Sequence, residues 1–320
     1  MASQVETLAR EQRTRQTDLG DLLVGELRAL WVALFAGRAV TSADAGEFAA
    51  AAAPLIQQYG QAASAIAEEF YRRMRVSAGL PDTFDVPSVD PAPTEQIDTS
   101  VAWAFRNRPE PATSRTTTAP DTTEPVDLDK PLPERQFTEL SGAAKRLAAQ
   151  PGRSTLERAI EEDPDAVAWV RITDADPCGF CAMLAGRGAI YLSEESARFI
   201  EGTREPYHDH CDCVPAPRFR DDLSPLPATN QKMQDLWYKT GAYFSNEDAR
   251  NAMDRAVRAL KAGRDPVAAA FEGPAGNPDK YRRRITHDAK TVDEFRRKAQ
   301  RGGRNGKRNT PDYAGDPRFR

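Results

Sequence analysis

All four cysteines of this 320-residue chain fall in two pairs within one short stretch: Cys178-Gly-Phe-Cys181, then Cys211-Asp-Cys213. Two of the three histidines, His208 and His210, stand beside the second pair. A C-x2-C turn sets two sulfurs along one edge of a tetrahedron, which is half of a zinc site. Residues Met1–Gln12 lack a basic flank followed by an apolar run, so no secretory leader is expected and the thiols are expected to be reduced. The chain must then fold so that two clusters separated by a 25-residue gap meet.

Six donors compete for four positions. In an extended segment His208 and His210 face one way and Cys211 and Cys213 the other, so a single zinc does not take all of them. The expected set is Cys178, Cys181 and two of His208, Cys211 and Cys213, with His210 spare and available to orient a ligand. Three other readings stay open: reduced thiols packed in a small core, disulfides formed in an oxidising compartment, or a Cys178–Cys181 redox pair. The last requires a βαβ context that the sequence does not show.

The enzyme signatures nearest to this pattern are incomplete. Pro177-Cys-Gly-Phe-Cys181 matches the P-C-x-x-C half of zinc deaminases, but their H-x-E half lies upstream and no histidine precedes residue 208. Zinc-supported HNH nucleases need further polar metal ligands on a following helix. Here only Asn230 is near, and His287 lies in a basic tail. With two of three histidines in the cysteine cluster, a Ser-His hydrolase has little to work with. Neither G-x-x-x-x-G-K-[ST] nor G-x-G-x-x-G occurs, which argues against nucleotide binding.

The expected fold class is α+β, mainly α-helical: a helical N-terminal body, a small zinc-stapled α+β module, a helical C-terminal segment and a basic tail. Residues 1–80 read as a helical domain, with Leu22, Leu23, Leu27, Leu30 and Leu34 on one face. Asp44 and Glu47 suggest a capping box, and Pro54 should start or kink a helix. Residues 81–133 hold ten prolines and nine threonines, a composition too poor in apolar residues to offset its ordering entropy, so they read as a linker. Ile97–Phe105 is the exception, as a helix or docking segment. Residues 134–220 form the α+β module. Gly152 should end one helix there, and Ser154 with Glu157 should open the next. Strands are expected at Ala166–Ile172, Ala189–Leu192 and Cys213–Phe219, the last limited to an edge by its prolines, and a short helix after Ser193. Residues 221–272 read as helical and 273–320 as a basic tail.

Charge is segregated. Residues 281–310 carry eleven Lys/Arg against three acids, net +8, which leaves −12 on residues 1–280 of a chain whose total is −4. Such a tail suits contact with double-stranded DNA through phosphates, carried by Arg282, Arg283, Arg284, Arg296, Arg297 and Lys298. No apolar run is long enough to span a bilayer, so a membrane partner is not expected.

Cys178-Gly-Phe-Cys181-Ala-Met-Leu-Ala-Gly-Arg-Gly188 followed by Tyr207-His-Asp-His-Cys-Asp-Cys213 resembles the Mu F-like minor head proteins of tailed phages, in the form carried by actinobacterial phages. The family pattern is C-x-x-C, a glycine-containing loop and H-x-x-C-x-C, which His208, Cys211 and Cys213 fit. Pro54–Gly60, Ala62-Ala63, Phe70–Arg75 and Trp169–Asp174 add to the likeness, which covers about residues 20–220. The resemblance implies a structural minor capsid protein in the virion head interior, made in the bacterial host cytoplasm. Its implied roles are head assembly near the portal and DNA packaging or delivery. Its implied partners are the portal protein and the major capsid or scaffold protein, and one structural zinc is expected per chain. The alternative is a capsid maturation protease acting on scaffold or major capsid protein. No catalytic residue can be named for it.

Overall fold

The computed structural model describes residues 4–37, 40–106, 132–173, 176–188, 213–220, 226–244 and 246–272. Among the described residues it is mainly helical, with one two-stranded antiparallel sheet. In chain order the elements are α1 (Gln4–Phe35), α2 (Ala45–Ser77), α3 (Thr94–Ala104), α4 (Leu132–Glu162), β1 (Ala166–Ile172), α5 (Gly179–Gly186), β2 (Val214–Phe219), α6 (Ala228–Lys239), α7 (Asn246–Lys261) and α8 (Pro266–Ala270). Among the described residues, no helix is long and apolar enough to cross a membrane.

Helices α1, α2 and α4 each exceed 30 residues, and each contributes one end to each of two apolar cores. The distal core takes Leu23, Leu27, Trp31 and Phe35 from α1, Phe48, Ala52 and Ile56 from α2, and Phe137, Leu140 and Leu147 from α4. The proximal core takes Val5 and Leu8 from α1, Phe70 and Met74 from α2, and Leu156 and Ile160 from α4. It also takes in the sheet and α5 to α8. So α1 runs antiparallel to α2 and α4, and the elements that carry the cysteines share a core with the ends of the long helices.

Between the cores the helices touch through small residues. A Cβ on Gly152 would lie 2.5 Å from the Ala63 carbonyl oxygen, and one on Gly60 would lie 3.1 Å from Pro91 and 3.2 Å from Pro151. The Ser64 hydroxyl meets Thr155 Oγ1 at 2.6 Å and Ser88 Oγ at 3.1 Å, and accepts from the Val89 amide at 3.3 Å. This close approach explains one departure from the sequence reading. Helix α4 does not end at Gly152 and restart at Ser154 but runs unbroken through Pro151. Ser154 is a mid-helix residue accepting from Gln150 Nε2 at 3.0 Å, and Glu157 is buried rather than capping. Helix α2 likewise runs through Pro54, whose ring is exposed. The box before α2 is Thr41 with Asp44, three residues earlier than expected, the Thr41 amide donating to Asp44 Oδ2 at 2.7 Å.

The Pro/Thr-rich stretch divides. Residues 107–131 lie outside the described residues. Residues 81–106 are laid against the helices, with Val86, Ala92, Ile97, Val101 and Phe105 buried. Prolines in an extended segment need no ladder partner, so they can lie along a helix while alternate side chains reach the core. The strand expected at 189–192 and the helix after Ser193 lie outside the described residues, as does the basic tail.

Candidate cysteine corner

Strand β1 is flanked by buried positions on both faces from Ala168 to Ile172. It pairs with β2 in the register Ile172–Val214, Arg171–Pro215, Val170–Ala216 and Trp169–Pro217. Pro215 and Pro217 have no amide hydrogen to donate, which suits a strand with one partner. This register places Cys213, the residue before β2, at the end of β1, where the chain turns into α5.

Cys178 is the N-cap of α5. Its Sγ accepts from the Cys181 amide at 3.3 Å, so the C-G-F-C turn is the first turn of a helix. Gly179 is forced by packing: a Cβ there would sit 2.5 Å from Asp254 Cα on α7. Gly186 at the other end meets the Met233 carbonyl of α6 in the same way, at 2.6 Å. The helix is thus clamped between α6 and α7, with Cys181 facing Cys213 at an Sγ–Sγ distance of 3.3 Å. Cys181 and Cys213 are buried, Cys178 is half-buried against them, and none of the three is in a disulfide.

The donor set can be tested against zinc. Zn–S bonds of about 2.3 Å put tetrahedral sulfurs roughly 3.8 Å apart, whereas a disulfide needs about 2.05 Å. The observed pair is unbonded and within reach of a tetrahedral edge after a small outward shift. Its N-capped C-x2-C turn orients the third sulfur toward the same corner. Cys178, Cys181 and Cys213 therefore fit three corners of such a site. Among the described residues alone no complete metal-binding group is present. His208 and Cys211, the candidates for the remaining corner, lie outside the described residues, as does the spare His210.

Two features were not singled out in the sequence. The first is Arg171, fully buried, whose Nη1 donates to Cys213 Sγ at 3.4 Å and whose guanidinium lies 5.9 Å from the Trp169 ring. A charged residue inside Ala-Val-Ala-Trp-Val-Arg171-Ile was the available signal. Asn230, weighed above as a nuclease ligand, is instead buried on α6 and donates to the Arg171 carbonyl at 2.8 Å. The second is the buried junction between α2 and the start of the sheet. Arg75 pairs there with Asp163 and, at 3.2 Å, with Asp165, and Tyr71 donates to Asp163 Oδ2 at 3.0 Å. Burial alone would lower the Arg75 pKa, but the hydrogen bond and charge of Asp163, then those of Asp165, outweigh it and hold it above the ordinary value. Burial, followed by the Asp163 charge, pushes the Tyr71 phenol far above its usual range. The candidate DNA contacts Arg282, Arg283, Arg284, Arg296, Arg297 and Lys298 all lie outside the described residues.

The fold and corner define a helical α+β protein whose small sheet is closed by cysteines. The chain belongs to the VG15 protein family, whose model matches residues 2–240 and so takes in the distal core, the sheet and the three clustered cysteines, but not α7 and α8 of the proximal core. It is also similar to the Gene 15 protein of Mycobacterium phage D29, with 28% identity over 137 residues, 34% of this chain and 50% of the relative. The chain thus matches about half the length of that curated relative, and the protein is a phage protein of this gene 15 type. No solved structure matches it.

Proposed function

We propose that this protein is a minor structural component of the phage head, of the Mu F-like type, acting in head assembly near the portal. The observation that carries the reading is family membership over residues 2–240, joined to a phage relative. The physical arrangement agrees with it. Long helices with two shared cores give a rigid strut, and the small module is closed at a cysteine corner. In this reading Cys178, Cys181 and Cys213, with one donor from His208 or Cys211, hold one structural zinc. When bound, the metal contributes folding free energy to a sheet too small to stand alone. The protein residues set the corner: the α5 N-cap orients Cys178, the β1–β2 register delivers Cys213, and Gly179 lets α7 press the helix into place. The basic tail would contact packaged DNA without reading its sequence.

The test is composition of the phage particle. Heads and tails separated from purified virions are analysed by quantitative mass spectrometry, and heads are then assembled without this gene. The expected result is a few copies per head, none in tails, and heads that fail to form or fill when the gene is absent. Absence of the chain from both procapsids and mature heads would overturn the reading.

A further inference from the structure

Helix α1 is continuous, but its two ends are not held alike. We propose that residues 4–12 form a strap that closes the proximal core, opens as a unit on the polar middle of α1, and exchanges there with the same strap of a second copy of the chain. The inference uses no residue of the cysteine corner and stands whether or not that corner binds zinc.

The distal end of α1 buries Leu23, Leu27, Trp31 and Phe35, whereas the strap buries Val5, Leu8 and Ala9 together with a polar residue, Gln12. No residue from 13 to 22 is buried, and residues 10–18 hold no apolar side chain. Thr14, Thr17, Asp18 and Gly20 in this middle stretch also rank low as helix formers. A helical segment with few buried apolar contacts and solvent-exposed backbone hydrogen bonds is where local opening costs least. Gln12 weakens the seat from within. It is 2% exposed, and neither its Oε1 nor its Nε2 has a hydrogen-bond partner among the described residues. Gln16 Nε2, one turn on, is enclosed and unpartnered there too. A carboxamide buried in this way opposes closure, because opening returns it to water.

The seat is nonetheless selective. Val5, Leu8 and Ala9 stand at i, i+3 and i+4 and join Tyr71 and Met74 of α2, Leu156 and Ile160 of α4 and Phe219 of β2 in the proximal core. Two exposed ion pairs with α2 set the register: Glu11 with Arg73 at 2.8 Å and Arg15 with Glu69 at 2.7 Å. Exposed pairs contribute little stability, but they discriminate between partners by charge. Acid then base along the strap meets base then acid along the antiparallel α2. An identical strap from another copy satisfies both pairs and the apolar seat, whereas a helix of the reversed charge order satisfies neither pair.

The experiment uses the full reduced chain as wild type, Gln12→Leu and Leu8→Asp. Amide hydrogen exchange reads the opening. Fluorescence anisotropy of a labelled synthetic peptide of residues 4–18 reads the seat. The inference expects amides 8–16 to exchange together, about 100-fold faster than amides 27–35 of the same helix. The change should be a step within residues 17–26, not the gradual rise from the first turn that simple end-fraying gives. Gln12→Leu should slow exchange at 8–16 by about 10-fold and leave 27–35 unchanged. The peptide should bind Leu8→Asp more tightly than wild type, and Gln12→Leu about 10-fold more weakly than wild type, since the resident strap competes for the same seat. A peptide carrying Glu11→Lys and Arg15→Glu should bind more weakly than the native one at low salt. Equal exchange at 8–16 and 27–35, a fraying gradient, or faster exchange in Gln12→Leu would overturn the separate opening. Peptide binding that ignores the state of the resident strap, or no binding to a helical Leu8→Asp, would overturn the exchange between copies. If Leu8→Asp does not fold, wild type against Gln12→Leu decides: tighter peptide binding to wild type supports the inference, and equal or no binding overturns it.

Discussion

The two cores share three helices yet are closed by different chemistry. At the distal core five aromatic rings interlock. Trp31 lies 4.8 Å from Phe35, 5.5 Å from Phe48 and Phe105, and 5.7 Å from Phe137, mostly edge to face. At the proximal core the apolar filling is supplemented by groups that are costly to bury: the Arg75–Asp163–Tyr71 junction, Arg171 and the three cysteines. The distal end is stabilised by packing area, which tolerates modest repacking. The proximal end depends on polar partners that must all be present, because an orphaned buried charge costs more than the pair contributed. The difference suggests a division of labour: a robust helical end, and an end whose integrity is conditional on specific groups.

Four substitutions probe that contrast, from the largest effect down. Arg75→Met leaves Asp163 buried without its cation and should cost about 3–5 kcal/mol, read as a shift in urea midpoint. A loss below about 1 kcal/mol would show that the junction behaves as a surface pair. Trp31→Ala should cost a similar 3–5 kcal/mol or slightly less. Its loss of amide protection should be concentrated in the distal halves of α1, α2 and α4 and in α3, whereas Arg75→Met should expose β1 and β2 first. Identical exchange patterns for the two variants would collapse the distinction between the cores. Ile97→Ala, in the proline-rich stretch, should cost about 2–4 kcal/mol because Ile97 is fully buried. A neutral result would return that stretch to the status of a linker.

The smallest effect is a pH dependence. The folded state holds the Tyr71 phenol protonated, while the unfolded chain releases its proton near pH 10. This contribution is therefore fully present below pH 10 and declines above it, by about 1.4 kcal/mol per pH unit. Tyr71→Phe should remove that slope while costing about 1–3 kcal/mol near neutrality for the hydrogen bond to Asp163. Stability measured from pH 8 to 11 should show the two curves converging. Parallel curves would contradict the assignment.

The sequence was most legible where periodicity and termination signals agreed. Strand β1 is bounded as its apolar run predicts, β2 follows Cys213 at once, and Leu23 and Leu27 of α1 are buried with Leu30 and Leu34 packed beside them, whereas Leu22, expected on the same face, is exposed. It misled where a local signal was overruled by a distant contact. Pro151-Gly152 reads as a helix stop, but it is the point where α4 must approach Ala63 and Gly60, and only small or ring-closed residues fit. Ser154 and Glu157 then imitate a cap inside a continuous helix. The prolines of 81–93 read as linker because composition says nothing of the surface they lie on. At the corner the clustering of cysteines was legible, and the meeting of Cys181 with Cys213 across 32 positions followed from it. Arg171 and Asp163 were not, since a charge in an apolar segment declares burial only once its partner is known.

Metal content of the reduced, full-length protein, measured by elemental analysis beside Cys178→Ser, tests the central claim most directly. The account predicts about one zinc per chain in wild type. It predicts loss of the metal in the variant, with the sheet and α5 losing amide protection while the distal helices keep theirs. Metal-free wild-type protein, with all four thiols titrating freely and the same melting behaviour as Cys178→Ser, would contradict it.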